Sequence, residues 1–427
     1  MSSVLIVSRP KVQDGSRLNL NYKIGDYEHT IRFDFFRNIP DTQAVTSLLN
    51  WLALTYATYI FDIEFPDVVD VEFALSDAER IFFEKLYDLG MREFKYLNKI
   101  EVSKTPTISS PSKTQKTFGS TKTPTAQKVL LMNGGGKDGV AGSVILDLAG
   151  VDFSWFSVNP GVSQLNIVNK STQGSVNVKR AIGRQTIWER AQYKGHKPTS
   201  SGLAIIGLLT ALIYDYTDIV TSNEQAANEA TIIHNGFAVN HQYTKSAEFE
   251  QDLQALCHEH GINIRYWSIL RPLKENEILK IIERHQPASI SQITSCNHGF
   301  LTGTWCLNCT KCAFVALSFA TYAPIAYGKI WPINRPLDNL GIVPSLKDLL
   351  EADKPFECIG TSDELTALCQ DFLSISADDT PAEVMNIINQ RASRPRVDLE
   401  PYDPKHYTPD IPKNIIESVT KLVKKLN

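Results

Sequence analysis

The sequence predicts an α/β fold built on a doubly wound parallel sheet, with a small N-terminal α+β domain ahead of it. Three observations lead there. The runs "KVLLM", "DFSWFSVNP", "DIVTSNE" and "NIRYWSIL" are short, apolar and rich in β-branched or aromatic residues, so they read as buried strands. Helical stretches such as "SSGLAIIGLLTALIYDY" and "SAEFEQDLQALCHEHG" separate them, and strands alternating with helices form parallel sheets. The segment "LLMNGGGKDGVAGSVILDLAG", Leu130 to Gly150, reads as strand, glycine loop and helix. In such folds ligands bind beyond the carboxyl ends of the strands.

Taken in order, the chain opens with "LNLNYKIGDYEHTIRFDFF", whose alternating pattern and Gly25-Asp26 turn predict a β-hairpin. Ser76 and Glu79 have capping-box spacing and should start a helix ending near Gly90. These elements form an N-terminal domain over residues 1–101. From 102 to 127 the chain is rich in Ser, Thr, Lys and Pro and poor in large apolar residues. It is expected to be a flexible tether, without fixed conformation from Lys104 to Ala126. A nucleotide-binding domain over 128–375 and a C-terminal extension over 376–427 complete the chain. The extension is proline-rich before a short amphipathic helix, "NIIESVTKLVKKLN", and carries no assigned chemistry.

A chain of 427 residues, 43% hydrophobic and 21% charged, can bury a large core. The net charge of -4 argues against a broad nucleic-acid or membrane surface and favours a small-molecule substrate. No charged-then-apolar leader is seen, and the apolar run Leu203 to Tyr214 is too short to span a bilayer, so a cytoplasmic location is expected. Oligomeric state is left open. Four of seven cysteines, Cys296, Cys306, Cys309 and Cys312, have C-x9-C-x2-C-x2-C spacing. Four thiolates on one loop suit tetrahedral zinc, with His298 as a substitute ligand. An iron–sulfur cluster or plain buried thiols are the other readings.

Gly134, Gly135 and Gly136 remove three β-carbons where a strand stops, so backbone amides can converge on an anion. The bland reading is a tight strand-to-helix turn. Gly134 to Gly139 resembles the pyrophosphate loop of the adenine-nucleotide α-hydrolase superfamily, S-G-G-x-D-S, with glycine at both serine positions. The resemblance implies cleavage of ATP between its α- and β-phosphates. The 7-cyano-7-deazaguanine synthases share that fold and a similar cysteine cluster.

Further motifs narrow the family. "LGMREFKYLN" (89–98), "GHKPTSSG" (195–202), "SNEQAANEA" (222–230), "VNHQYTKSAEFE" (239–250), "SILRPLKENEI" (268–278), "WCLNCTKCAF" and "KPFECIGTSDEL" (354–365) occur in order. Together they resemble the ATP-dependent UDP-N-acetyl-α-D-muramoyl-L-alanyl-L-glutamate epimerases of bacterial peptidoglycan synthesis, over roughly residues 18–373 without the tether. The resemblance implies inversion of a C-terminal L-glutamate through an acyl adenylate, with AMP and pyrophosphate as products. ATP, Mg2+ and Zn2+ are the implied cofactors, and a UDP-muramoyl dipeptide the implied substrate. A deazaguanine-type nucleobase-modifying enzyme and a non-catalytic nucleotide-binding partner are the alternatives.

On this reading Gly134, Gly135, Gly136, Gly139 and Asp138 serve the nucleotide phosphates, and Lys137 neutralises charge at the α-phosphate. Ser222, Asn223 and Glu224 contact magnesium or ribose. His241 and Lys245 transfer protons or bind carboxylate. Asn228 and Arg271 contact substrate, Arg271 through a two-pronged carboxylate clamp. His196 either contacts substrate or caps the helix that follows it.

Overall fold

The computed structural model describes residues 3–111, 127–351, 357–375 and 380–426. In chain order the strands are β1 (Val4–Val7), β2 (Lys11–Gln13), β3 (Arg17–Ile24), β4 (Tyr27–Asp34), β5 (Val68–Val71), β6 (Thr107–Ser109), β7 (Val129–Met132), β8 (Phe153–Val158), β9 (Gly174–Ala181), β10 (Asp218–Thr221), β11 (Ile232–His234), β12 (Phe237–Val239) and β13 (Arg265–Ser268). The helices are α1 (Gln43–Ala57), α2 (Asp77–Leu89), α3 (Arg92–Leu97), α4 (Lys137–Leu148), α5 (Val162–Asn169), α6 (Arg184–Trp188), α7 (Thr199–Tyr214) and α8 (Ala247–Glu259). After them come α9 (Glu275–His285), α10 (Thr310–Tyr322), α11 (Pro324–Ile330), α12 (Val343–Leu350), α13 (Ser362–Ser374), α14 (Ala382–Ala392) and α15 (Lys413–Val423). The protein is mixed α/β.

The chain divides into two compact units that are not consecutive in sequence. The first comprises 1–130, 176–219 and 232–266, the second 131–175, 220–231 and 267–427. In the first unit the strand order is β9-β4-β3-β1-β5-β6, with β2 on β3. β3 and β4 form the hairpin that Gly25-Asp26 predicts, in register from Arg17 opposite Asp34 to Ile24 opposite Tyr27. Alternation fixes that register, because Leu18, Leu20, Tyr22 and Ile24 on β3 and Ile31 and Phe33 on β4 are buried. β1 pairs antiparallel with β3 and parallel with β5. The segment Gln43–Asp62 is long and apolar enough to cross a bilayer by length and composition, but 89% of it is buried inside the protein as a core helix.

Helix α2 starts at the predicted capping box. Ser76 Oγ accepts from the Glu79 amide at 3.1 Å, Glu79 Oε2 accepts from the Ser76 amide at 2.7 Å, and Gly90 ends the helix. Glu79 does a second job, since its Oε1 accepts from the buried Trp51 indole at 2.7 Å. Part of the expected tether is ordered: Thr107–Ser109 forms β6, parallel to β5, because Ile108 finds a buried place there. The rest of the tether expectation, residues 112–126, falls outside the described residues.

In the second unit the strand order is β13-β10-β7-β8, the division between the units passing through β7, β10 and β13. β7 and its neighbour β8 are joined through α4, the connection of a parallel pair. The carboxyl ends of β7, β10 and β13 lie side by side in the sheet and each leads into a polar segment. The last segment is more built than its composition suggests. Lys274 Nζ donates to the Glu400 carbonyl, and Tyr407 Oη donates to the Ile269 carbonyl at 2.9 Å.

Candidate active site

Each unit holds a cluster of ionisable side chains. In the second unit the chain leaves β7 and turns through Asn133, Gly134, Gly135 and Gly136 into α4. The middle of this turn requires glycine. Gly135 has φ +77°, and a Cβ there would lie 2.8 Å from Ser163 Cβ. A Cβ on Gly136 would lie 2.6 Å from Ser295 Oγ. The loop is also braced from within, since Asn133 Oδ1 accepts from the Gly135 amide at 3.0 Å and Ser295 Oγ from the Lys137 amide at 3.2 Å. Two amides of the expected anion cradle therefore hold protein oxygens. Gly134 and Gly139 are different. A Cβ on Gly134 meets nothing within 4 Å, and one on Gly139 nothing nearer than the Met132 carbonyl at 3.7 Å. Glycine at the two serine positions is not a steric necessity.

Lys137, the first residue of α4, is 4% exposed, and its Nζ lies 2.6 Å from Asp138 Oδ1 and 2.5 Å from Glu275 Oε2. Asp138, Glu224 and Glu275 each bring a carboxylate oxygen within 4.8 Å of the others. Burial raises the Glu224 carboxyl well above its ordinary range against the pull of Lys137, and raises Glu275 to about 7. For Lys137 burial works against the charge, but Asp138, Glu275 and Glu224 together outweigh it and raise its pKa. Glu224 Oε2 and Glu275 Oε1 are shut off from solvent and have no hydrogen-bond partner among the described residues. Buried carboxylate oxygens in that condition favour a cation or a proton.

The remaining candidates of this unit surround the cluster. Arg271 is fully buried and its Nη1 donates to the Glu224 carbonyl at 3.4 Å. Ser222 Oγ lies 2.7 Å from the position of a Cβ on Gly142, against α4. The Asn223 side chain donates to Thr221 Oγ1 at 3.1 Å, while its backbone amide donates to Ser268 Oγ at 2.8 Å. Asn228 is exposed at the end of a one-turn 3-10 helix, Gln225–Asn228. Glu275 was not singled out from the sequence, although it lies in "SILRPLKENEI" at a helix start beyond a strand end.

Four thiol sulfurs, of Cys296, Cys306, Cys309 and Cys312, lie within 4.8 Å of one another. Cys306 Sγ is 3.5 Å from Cys309 Sγ and 3.7 Å from Cys312 Sγ. None is in a disulfide. Cys296 Sγ accepts from the Gly299 amide at 3.2 Å and the Cys306 amide at 3.4 Å, and Cys309 sits at the N-cap of α10. Hydrogen bonding, first from Cys312, lowers the Cys309 thiol to about 5.

In the first unit His241 Nδ1 is 2.6 Å from Glu93 Oε2, and the His196 and His241 rings are 4.4 Å apart. Burial, then the charges of His241, Lys245 and Lys197, lowers His196 to about 3, so it is neutral at physiological pH. Lys245 thus belongs to this cluster. Lys197 Nζ is 2.6 Å from Asp62 Oδ1 and 3.8 Å from the centre of the Phe94 ring, and burial lowers it to about 8. Tyr59, Asp62, Trp188, His196, Lys197 and Thr199 line a cavity of about 190 Å³. His196 does not cap α7. Pro198 is the N-cap residue and no side chain caps it, because the His196 ring is turned to His241 instead. Glu93, Lys197 and Asp62 were missed from the sequence; Glu93 and Lys197 sit inside motifs quoted for other reasons.

The protein is mixed α/β, and its glycine loop leads to a buried lysine and three carboxylates, a candidate site for charged ligands. Two family models match it: the MurL N-terminal domain over residues 5–269 and the MurL C-terminal domain over residues 292–399. The chain belongs to the MurL family. It is 30% identical over 317 residues to the UDP-N-acetyl-alpha-D-muramoyl-L-alanyl-L-glutamate epimerase of Micromonospora sp., covering 68% of this chain and 66% of the relative. The protein of the same name from Xanthomonas oryzae pv. oryzae is 29% identical over 338 residues, 75% of this chain and 73% of the relative. That of Salinispora tropica is 30% identical over 298 residues, 65% and 63%. The chain thus spans about two thirds of the length of these relatives.

Two outcomes follow from this geometry. Gly135→Ala should destabilise the protein by about 1 to 2 kcal/mol from its backbone conformation alone, whereas Gly139→Ala, inside α4 with room for its Cβ, should leave stability unchanged or raise it by about 0.5 to 1 kcal/mol. Urea unfolding of both variants checks the opposite signs. For His196, a folded pKa of about 3 against an ordinary 6.5 means that the unfolded chain takes up the proton first. Its contribution is present above pH 6.5 and is lost as pH falls toward 3. The melting temperature of His196→Asn should therefore fall less steeply than that of the wild type across that acid range.

Proposed function

We propose that the protein is an ATP-dependent epimerase of bacterial peptidoglycan precursor synthesis, acting in the cytoplasm on UDP-N-acetylmuramoyl-L-alanyl-L-glutamate. The observation that carries the reading is the conjunction of the glycine loop, Lys137 and Asp138 with relatives that bear that epimerase name. The deazaguanine-synthase reading shares the loop and the cysteines but not the relatives.

Chemistry explains why ATP is consumed. The α-proton of a free carboxylate is weakly acidic, because its removal places a second negative charge beside the first. Attack of the glutamate carboxylate on the α-phosphorus forms an acyl adenylate and releases pyrophosphate. The α-carbon then loses its proton to a base, the electron pair delocalises into the activated carbonyl, and a proton returns on the other face. Hydrolysis of the acyl–phosphate bond yields AMP and the same muramoyl peptide ending in a D-glutamate residue.

In an adenine-nucleotide α-hydrolase-like fold, Gly134, Gly136 and the first-turn amides of α4 face the phosphates, and Lys137 lowers the negative charge met by the incoming carboxylate. Asp138, Glu224 and Glu275 would hold Mg2+, which supplies further neutralisation at the phosphates. Of the candidate residues, His241, held by Glu93, Lys245 and His196 belong to the first unit and offer proton transfer and substrate contacts there, while Arg271 and Asn228 belong to the second and offer substrate contacts. Cys296, Cys306, Cys309 and Cys312 would hold Zn2+. Zinc–sulfur bonds of about 2.3 Å set tetrahedral sulfurs about 3.8 Å apart, close to the 3.5 and 3.7 Å separations of Cys306 from its neighbours.

With the muramoyl dipeptide, ATP and magnesium in heavy water, the products should be AMP, pyrophosphate and D-glutamyl product carrying one solvent deuterium at the α-carbon. ADP would exclude the adenylate, and inversion without deuterium would exclude an exchanging carbanion. Asp138→Ala should lose activity by about 3 to 4 kcal/mol in transition-state stabilisation. Lys245→Ala should keep pyrophosphate release while losing deuterium uptake.

The thiol cluster gives an independent expectation. Elemental analysis should find one zinc per chain, and Cys309→Ser should lose both metal and melting temperature, since metal binding and local folding are linked. A zinc-free protein as stable as its Ser variant would remove the assignment.

A further inference from the structure

We propose that Lys137 is a resident counter-ion that occupies, in the metal-free protein, the place a divalent cation takes among Asp138, Glu224 and Glu275, and that cation binding displaces its ammonium from Glu275. This deepens the nucleotide-site reading and rests on it for the identity of the cation.

Charge and enclosure argue for it. Glu224 Oε2 and Glu275 Oε1 are shut off from solvent beside the Lys137 ammonium, a setting that a further cation would compensate, while Asp138, 38% exposed, leaves the cluster an entrance. Lys137 Nζ sits between Asp138 Oδ1 at 2.6 Å and Glu275 Oε2 at 2.5 Å, the geometry of a cation bridging two ligands. The Glu275 side chain is 4% exposed, yet its second oxygen, Oε1, has no hydrogen-bond partner among the described residues. Glu224 Oε2 is in the same condition, and one oxygen from each of the three carboxylates lies within 4.8 Å of the others.

The donor set fits a hard cation. Oxygen ligands in an octahedron of about 2.1 Å bonds stand about 3 to 4.2 Å apart, a contraction that rotation about the side-chain torsions of three carboxylates supplies. All three ligands come from beyond adjacent strand ends: Asp138 after β7, Glu224 after β10 and Glu275 after β13. Lys137 has a long, unbranched stem, so its ammonium can leave while the backbone of α4 stays where it is. The freed ammonium starts from the first residue after the glycine loop and is then available to an anion held there. One charge exchange would couple cation binding to arming of the loop.

The test needs neither nucleotide nor muramoyl peptide, so its failure is separate from failure of the epimerase reading. Binding of Mn2+ to the full-length protein is followed by electron paramagnetic resonance and by thermal shift. The wild type should bind one Mn2+ per chain, and Glu275→Gln should weaken it about tenfold or more. Lys137→Met should bind Mn2+ more tightly than the wild type and gain a larger thermal shift, because its carboxylates have lost their resident cation. A purely structural lysine gives the opposite result: equal or weaker binding in Lys137→Met overturns the proposal, as does unchanged binding in Glu275→Gln. The wild type supplies a second measurement should either variant fail to fold. Acetylation of Lys137, read by mass spectrometry, should be slow without metal and faster with Mn2+, and a rate indifferent to Mn2+ also overturns it.

Discussion

The second unit is organised around one buried ammonium. Lys137 is placed where α4 begins, Glu275 where α9 begins, and their ion pair ties the two helix starts together beyond the strand ends. A charge that far from water is tolerated only when paired, so the loop before Lys137, the segment after β13 and the carboxylate after β10 are constrained jointly. The helices help. Asp138 and Glu275 both lie in first turns, where unpaired amides and the helix dipole favour negative charge. Breaking the pair on one side strands the other charge, which makes this contact a condition of the site as well as a part of it.

The first unit applies the same physics to a different end. Lys197 is as enclosed as Lys137, but among the described residues it pairs with Asp62 and feels Glu93 more weakly, and burial wins: its pKa falls toward 8, whereas that of Lys137 rises. The number of nearby carboxylates decides which way a buried lysine moves. His196 shows the limiting case, enclosed beside a second imidazole and two ammonium groups, and held neutral. Its neighbour His241 keeps a carboxylate, Glu93, at 2.6 Å. The two imidazoles in contact thus differ in their nearest charges, His241 beside a carboxylate and His196 beside the Lys245 and Lys197 ammonium groups.

How much of this could be read from the sequence depends on the range of the interaction. The β3–β4 hairpin, the Ser76/Glu79 cap and the strand–glycine–helix unit are set by neighbours a few residues apart, and periodicity and cap chemistry reveal them. The thiol cluster is legible for the same reason. β9 was not: "GSVNVKRA" is given no element from the sequence, and it becomes a strand through antiparallel pairing with β4, about 150 residues earlier in the chain. β6 was hidden by the polar composition around Ile108, since a single buried side chain and a parallel neighbour suffice for three residues. Glu275, Glu93 and Asp62 were missed because a lone carboxylate has no local signature. Its partner lies 138, 148 or 135 residues away and only the fold pairs them.

The glycine loop shows why matching a motif and reading a structure are different operations. By pattern, Gly134 and Gly139 depart from the pyrophosphate loop because they lack serine; by geometry, they are the two positions with room for a side chain. The restrictive positions are Gly135 and Gly136, which the pattern keeps. The loop's shape therefore survives the departures, and what the serines would have added is hydroxyl groups. Nearby hydroxyls come from elsewhere. Ser295 Oγ accepts from the Lys137 amide, and Ser222 Oγ sits against α4 at Gly142. Asn133 Oδ1 and Ser295 Oγ already accept from two of the loop's amides and three carboxyl groups stand beside it, so on the nucleotide reading proposed above an anion would enter more readily once a cation had been added.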